Sequence, residues 1–153
     1  MTFSRMLGLA ASATALLAGL TACSPVVSLE PAANANDPLC ASVTVSLPDN
    51  IDGLNYRSTD AQASAAWGEP ASVLFRCGLE PVKVSTLHCV TASGVDWLVD
   101  ESNKPNYRFI TFARTPAAEV IIDSTKVSGI NALDALAPSL KALPVSDHCT
   151  SAN

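Results

Sequence analysis

Basic residues are scarce and nowhere clustered in this chain: nine Lys and Arg stand against fourteen Asp and Glu, a formal charge of −5. Without a Lys/Arg run the chain lacks the electrostatic footprint of nucleic-acid binding, and its acidic surface is weakly repelled by anionic lipid headgroups. Histidine is limited to His88 and His148, and aromatic residues make up 5%. The interior must therefore be built mostly from Val, Leu, Ile and Ala. Gly-x-Ser-x-Gly, Ser-x-x-Lys, glycine-rich phosphate loops, His-x-x-x-His, Cys-x-x-Cys and calcium-loop spacing are all missing. The common hydrolase, penicillin-binding, nucleotide and metal cassettes are thus excluded, and neither a catalytic residue, a metal nor a cofactor is expected. Long apolar runs are also missing beyond the N-terminus, where Met6 to Leu20 holds 15 residues. That is short of the roughly 20 needed to cross a hydrocarbon core.

What the N-terminus does hold is Arg5, then that apolar stretch, then Leu20-Thr21-Ala22-Cys23. A charged start, an apolar region and small residues before a cysteine describe a lipoprotein signal whose cleavage leaves Cys23 as an acylated amino terminus. The expected organisation is a signal peptide over 1–22, a lipidated flexible tether over 23–38, and one domain over 39–150. Fifteen residues rich in Ala, Asn, Pro, Ser and Asp, from Ser24 to Pro38, would hold the domain a few nanometres off the membrane. The expected location is the extracytoplasmic face of the cell membrane, reached through acyl chains and not through a polybasic patch.

With Cys23 committed to lipid, four cysteines remain, an even number in an exported domain, which reads as two disulfides with three connectivities. Cys77–Cys89 is favoured across an expected strand pair, and Cys40–Cys149 as a bridge between the start and end of the domain. The competing reading is a metal site using the His88-Cys89 and His148-Cys149 pairs. Adjacent strand residues point to opposite faces, so one such pair cannot easily chelate one ion.

Along the chain, Val43, Val45 and Leu47 alternate with Ser42, Thr44 and Ser46, the pattern of a half-buried strand over Ala41 to Leu47. Asp49 to Arg57 reads as a loop around Gly53. Thr59 or Asp60 is placed to cap a helix through Ala63, Ala65 and Ala66 to Trp67, stopped by Gly68 and Pro70. Strands follow at Ala71–Cys77, Lys83–Val90, Val95–Val99, Tyr107–Ala113 and Ala118–Val127, with short connections that imply antiparallel neighbours. Ile130, Leu133, Leu136, Ala137, Leu140 and Leu143 recur at helical spacing, with Asn131 and Asp134 as a capping pair and Pro138 expected to kink or split the helix. The fold class is α+β: an antiparallel sheet with helices packed on one face, stapled by two disulfides.

Two charged groups stand out. Asp96, Asp100 and Glu101, with Asp123 a neighbour candidate in the sheet, could bind a cation or act as acid and base; a solvated strand end is the plain alternative. Lys104, Arg108 and Arg114 flank one strand and could meet an anionic wall polymer or a protein. The lipobox, Asp37-Pro38-Leu39-Cys40, Thr59-Asp60-Ala61-Gln62, Ala66-Trp67-Gly68, Leu74-Phe75-Arg76-Cys77-Gly78, Gly94-Val95-Asp96-Trp97-Leu98 and Arg114-Thr115-Pro116-Ala117 together resemble the actinobacterial lipoproteins catalogued as domain of unknown function 3515. The resemblance covers about residues 37 to 149 and implies an envelope protein with four domain cysteines; it transfers no activity and no catalytic residue. The expectation is a non-catalytic accessory or binding module of the envelope, partnered by membrane lipid through Cys23 and by an envelope protein or wall component. The alternative is a small envelope enzyme or a ligand or metal binder using the acidic group.

Overall fold

The computed structural model describes residues 25–150. The expected signal peptide and Cys23 lie outside the described residues. Two helices, α1 (Pro38–Thr44) and α2 (Gly129–Leu140), accompany eight strands: β1 (Asn50–Ile51), β2 (Leu54–Arg57), β3 (Ser64–Trp67), β4 (Val73–Leu79), β5 (His88–Ala92), β6 (Val95–Asp100), β7 (Asn106–Thr111) and β8 (Ala117–Asp123). The strands form one antiparallel sheet in the order β1-β2-β3-β4-β8-β7-β6-β5. This is the expected α+β class. No helix among the described residues is long and apolar enough to cross a membrane.

Alternation along the strands sends Trp67, Val73, Phe75, Val95, Trp97, Val99, Phe109, Val120 and Ile122 to one face, where they form a single core with Leu133, Leu136 and Leu140 of α2. Helix α2 touches β1, β8 and β5, so the sheet curls around it from edge to edge. Pro138 sits in its last turn without splitting it. Asn131 and Asp134 do not cap it: Ser128 is the N-cap, Asn131 donates to Asp52 at 3.2 Å, and Asp134 accepts from Ser93 at 2.7 Å.

Three local expectations are corrected. The alternating stretch Ala41–Leu47 is not a strand; Asp37 caps α1 by accepting from the Leu39 N–H at 2.8 Å, and Pro38 starts it with a preset φ. Cys40 and Val43 then share a buried helical face while Val45 is 86% exposed. The alanines before Trp67 are not helical either. All four residues of β3 are buried, and a strand covered on both faces reads as a continuous small or apolar run, so tertiary placement overrides alanine's helix preference. The Asp49–Arg57 loop is a hairpin, β1–β2, turning at Asp52-Gly53 with φ of 50° and 87°. Asp-Gly suits a turn whose two central residues both have positive φ.

Chain order explains a fourth correction, the disulfide pairing. The bridges are Cys40–Cys77 and Cys89–Cys149. Cys77 and Cys89 lie on consecutive strands in sequence, but β8, β7 and β6 stand between β4 and β5. Four strand spacings of ~4.8 Å keep these cysteines apart, so Cys77 meets α1 above its own strand and Cys89 meets the C-terminal segment at the far edge.

Residues 25–37, expected as a tether, lie along the domain. Val27 forms a parallel bridge with Thr59, the Leu29 N–H donates to Asp60 at 2.8 Å, the Arg76 side chain donates to the Glu30 carbonyl at 3.0 Å, and the Asn34 N–H donates to the Gly78 carbonyl at 2.9 Å. These contacts use backbone groups, which leave no apolar periodicity in the sequence.

Candidate functional site

The face of the sheet turned away from the helices carries the charged chemistry. Arg76 on β4, Glu119 on β8 and Arg108 on β7 are neighbours across strands: Arg76 pairs with Glu119 through both Nε (2.6 Å) and Nη2, and Arg108 reaches the other carboxylate oxygen at 2.5 Å. Glu119 is only 1% exposed, and a carboxylate so placed has to be compensated; here two guanidinium groups grip its two oxygens.

The acidic residues singled out in the sequence do not share a site; each takes partners of its own. Asp96 on β6 is buried and accepts from Thr91 Oγ1 (2.5 Å), the Cys149 N–H (3.1 Å) and His148 Nδ1 (3.0 Å). Burial pushes its carboxyl upward, but these three hydrogen bonds and the His148 charge outweigh it and hold the group below the ordinary value. Asp100 folds onto Ser102, whose hydroxyl first and N–H (3.0 Å) second hold its carboxyl below the ordinary value as well. Glu101 pairs with Lys104 at 2.5 Å. Asp123, two strands from β6, accepts from Thr125. Among the described residues no group of three or more His, Cys, Asp or Glu is placed to hold a metal ion.

The basic residues are likewise dispersed. Lys104 lies over the Tyr107 ring at 5.6 Å, Arg108 serves Glu119, and Arg114 is buried. Arg114 Nη1 donates to the carbonyls of Leu140 (3.2 Å) and Leu143 (2.6 Å), satisfying the open carbonyl end of α2, where a cation also meets the helix dipole favourably.

Two of the concavities bear on function. One, of about 710 Å³, lies at the β5 edge between the Lys83–Leu87 loop and the C-terminal segment; His88, His148, Leu98, Phe112 and the Cys89–Cys149 bridge line it. Here His148 and Asp96 form an imidazole–carboxylate pair, the arrangement that orients a general base. Among the described residues no hydroxyl or thiol hydrogen-bonds to His148, and the same Asp96 oxygen that meets its ring also accepts from the Cys149 N–H. The pair acts as a clasp for the segment around Cys149. Sequence reasoning missed this role because Asp96 and His148 are joined only through the sheet order. The second concavity, of about 600 Å³, lies between β2 and the N-terminal segment and is lined by Pro25, Val26, Leu54, Tyr56, Arg57 and Glu69. Arg57 ties it together, donating to the Pro25 carbonyl and to Gly68 O (3.3 Å) and pairing with Glu69 at 2.8 Å.

The fold and its chemistry define a small disulfide-stapled sheet domain in which most charged side chains hold structure. The chain belongs to the family described as protein of unknown function (DUF3515), which it matches over residues 5–147. No curated protein and no solved structure matches it.

Proposed function

We propose that this protein is a lipoprotein anchored through acylated Cys23 to the outer face of a bacterial cell membrane, where its domain acts as a non-catalytic binding or accessory module for an envelope protein or a wall component. The observation that carries this reading is the pair of bridges, Cys40–Cys77 and Cys89–Cys149, which uses every cysteine after Cys23. Disulfides of this kind persist in oxidising, extracytoplasmic compartments. Leu20-Thr21-Ala22-Cys23 supplies the means of staying there. The commitment of Asp96, Asp100, Glu101, Arg108 and Arg114 to partners within the chain favours a binding module over an enzyme.

In-membrane crosslinking of the protein expressed with its signal, followed by mass spectrometry of the attached species, tests the reading. A reproducible envelope partner, lost together with membrane retention in Cys23→Ala, is the expected result. A protein that fractionates with the membrane unchanged by Cys23→Ala overturns the anchor, and turnover of a wall precursor by the purified domain overturns the non-catalytic role.

A further inference from the structure

The chain joins the domain almost immediately after Cys23. Ser24 alone separates Cys23 from Pro25, whose carbonyl is held by Arg57, and Val26 alone separates Pro25 from Val27, which bridges Thr59, so four peptide steps lead from Cys23 to Val27. At no more than ~3.6 Å per residue the span from Cys23 to Val27 is about 14 Å. An acylated Cys23 therefore cannot let the domain stand nanometres away or turn freely. The segment that fixes it runs beside residues 58–60, directly after β2, so the β1–β2 end of the sheet is the part of the domain nearest the lipid.

That end is suited to an interface. Val26 is 57% and Tyr56 39% exposed, two of the six large hydrophobic side chains left exposed among the described residues, and both line the same concavity. Tyrosine, apolar in body and polar at its tip, is favoured at the membrane–water boundary. Within the concavity the charges of Arg57 and Glu69 are paired with each other.

We infer that the surface beside the β1–β2 hairpin, centred on Val26 and Tyr56, is the one on which the domain rests against the bilayer. This rests on the acylated Cys23 proposed above. In that seating the domain has one orientation, with the concavity beside Cys89–Cys149, at the other edge of the sheet, left open to the medium for a partner.

Hydroxyl-radical footprinting of the full mature protein on phosphatidylcholine vesicles tests the seating, with Cys23→Ala protein in solution as reference and intact-mass analysis of the Cys23 peptide alongside. Tyr56 is expected to oxidise about three-fold or more slowly on vesicles, while Tyr107 on β7 is unchanged. If the Cys23 peptide carries acyl chains and Tyr56 oxidises equally in both samples, the seating is wrong and the anchor stands. If the peptide carries none, the anchor is wrong; the free thiol is then coupled to a maleimide lipid and the same comparison repeated, so that equal oxidation of Tyr56 still refutes the seating. Protection of Tyr107 to the same extent as Tyr56 also refutes it.

Discussion

Asp96 and His148 stand 52 residues apart in sequence and 3.0 Å apart in space, and their contact with the Cys149 N–H fastens the C-terminal segment to β6. Because Asp96 sits below the ordinary carboxyl value of 3.8 in the folded chain, it contributes stability that is fully present above that value. The contribution is lost as pH falls through the depressed native value, since the folded state must then give up hydrogen bonds to the charged form. Asp96→Asn should therefore flatten the acid side of the stability–pH curve. At pH 7, Asp96→Ala should cost about 2 kcal/mol, the scale of leaving buried donors unmatched. Urea unfolding between pH 3 and 7 measures both effects, and parallel curves for wild type and Asp96→Asn would show that Asp96 titrates alike in the folded and unfolded chains.

The two disulfides should differ in accessibility. Cys40 and Cys77 are both fully buried between α1 and β4, whereas Cys89 and Cys149 are half-buried and line an open concavity. A thiolate must reach a sulfur to open a bridge, so native-state treatment with dithiothreitol should open Cys89–Cys149 first. Timed alkylation and peptide mass spectrometry would show modified Cys89 and Cys149 while Cys40 and Cys77 stay unmodified; the opposite order would contradict the burial. Chain entropy assigns about 4 kcal/mol to each bridge, for separations of 37 and 60 residues.

Glu119 should be the most sensitive charged position. Glu119→Ala leaves Arg76 on β4 and Arg108 on β7 without the carboxylate they share across β8 and is expected to cost about 3 kcal/mol or more, the range for breaking a buried ion pair. Arg108→Ala leaves Glu119 its Arg76 partner and removes a side chain that is already 38% exposed, so about 1 kcal/mol is expected. Denaturant midpoints of the two variants rank them directly. Equal losses would show that the carboxylate depends on both guanidinium groups alike.

The C-terminal half of the chain was the most legible in the sequence. Strands β6, β7 and β8 and helix α2 announce themselves by runs of β-branched and aromatic residues and by the Leu133, Leu136, Leu140 spacing, and those residues do form the core. The stretch before β4 was harder to read because its residues are small: the alanines of β3 carry helix propensity, and only burial on both faces makes them a strand. The hairpin at Asp52-Gly53 did have a local signal, one that calling the stretch a loop overlooked. The disulfide pairing had none. Pairing Cys77 with Cys89 follows from supposing that consecutive strands are neighbours, and the insertion of β8 beside β4 is a long-range choice that no short window reveals. The acidic group was legible as three residues, but not the separate partners each would take.

Gly78 tests whether residues 25–37 belong to the domain. Its φ is +106°, a backbone region costly for any residue with a Cβ, and a Cβ built there would fall 2.5 Å from Ala35 N and 2.5 Å from the Asn34 carbonyl carbon. Those are backbone atoms, so no side chain can rotate aside. Gly78→Ala must either distort β4 next to the Cys40–Cys77 bridge or release the segment whose Asn34 N–H donates to Gly78. The second route is the milder, because it sacrifices a few hydrogen bonds and the burial of Ala35 while leaving the core in place. The expected outcome is a loss of about 2–4 kcal/mol in global stability together with faster proteolysis confined to residues 25–37. Limited digestion followed by mass spectrometry reads the cleavage sites. An unchanged digestion pattern in a folded Gly78→Ala protein would mean that the N-terminal segment is not held by this contact, and the short span between Cys23 and the sheet would lose its inner fastening.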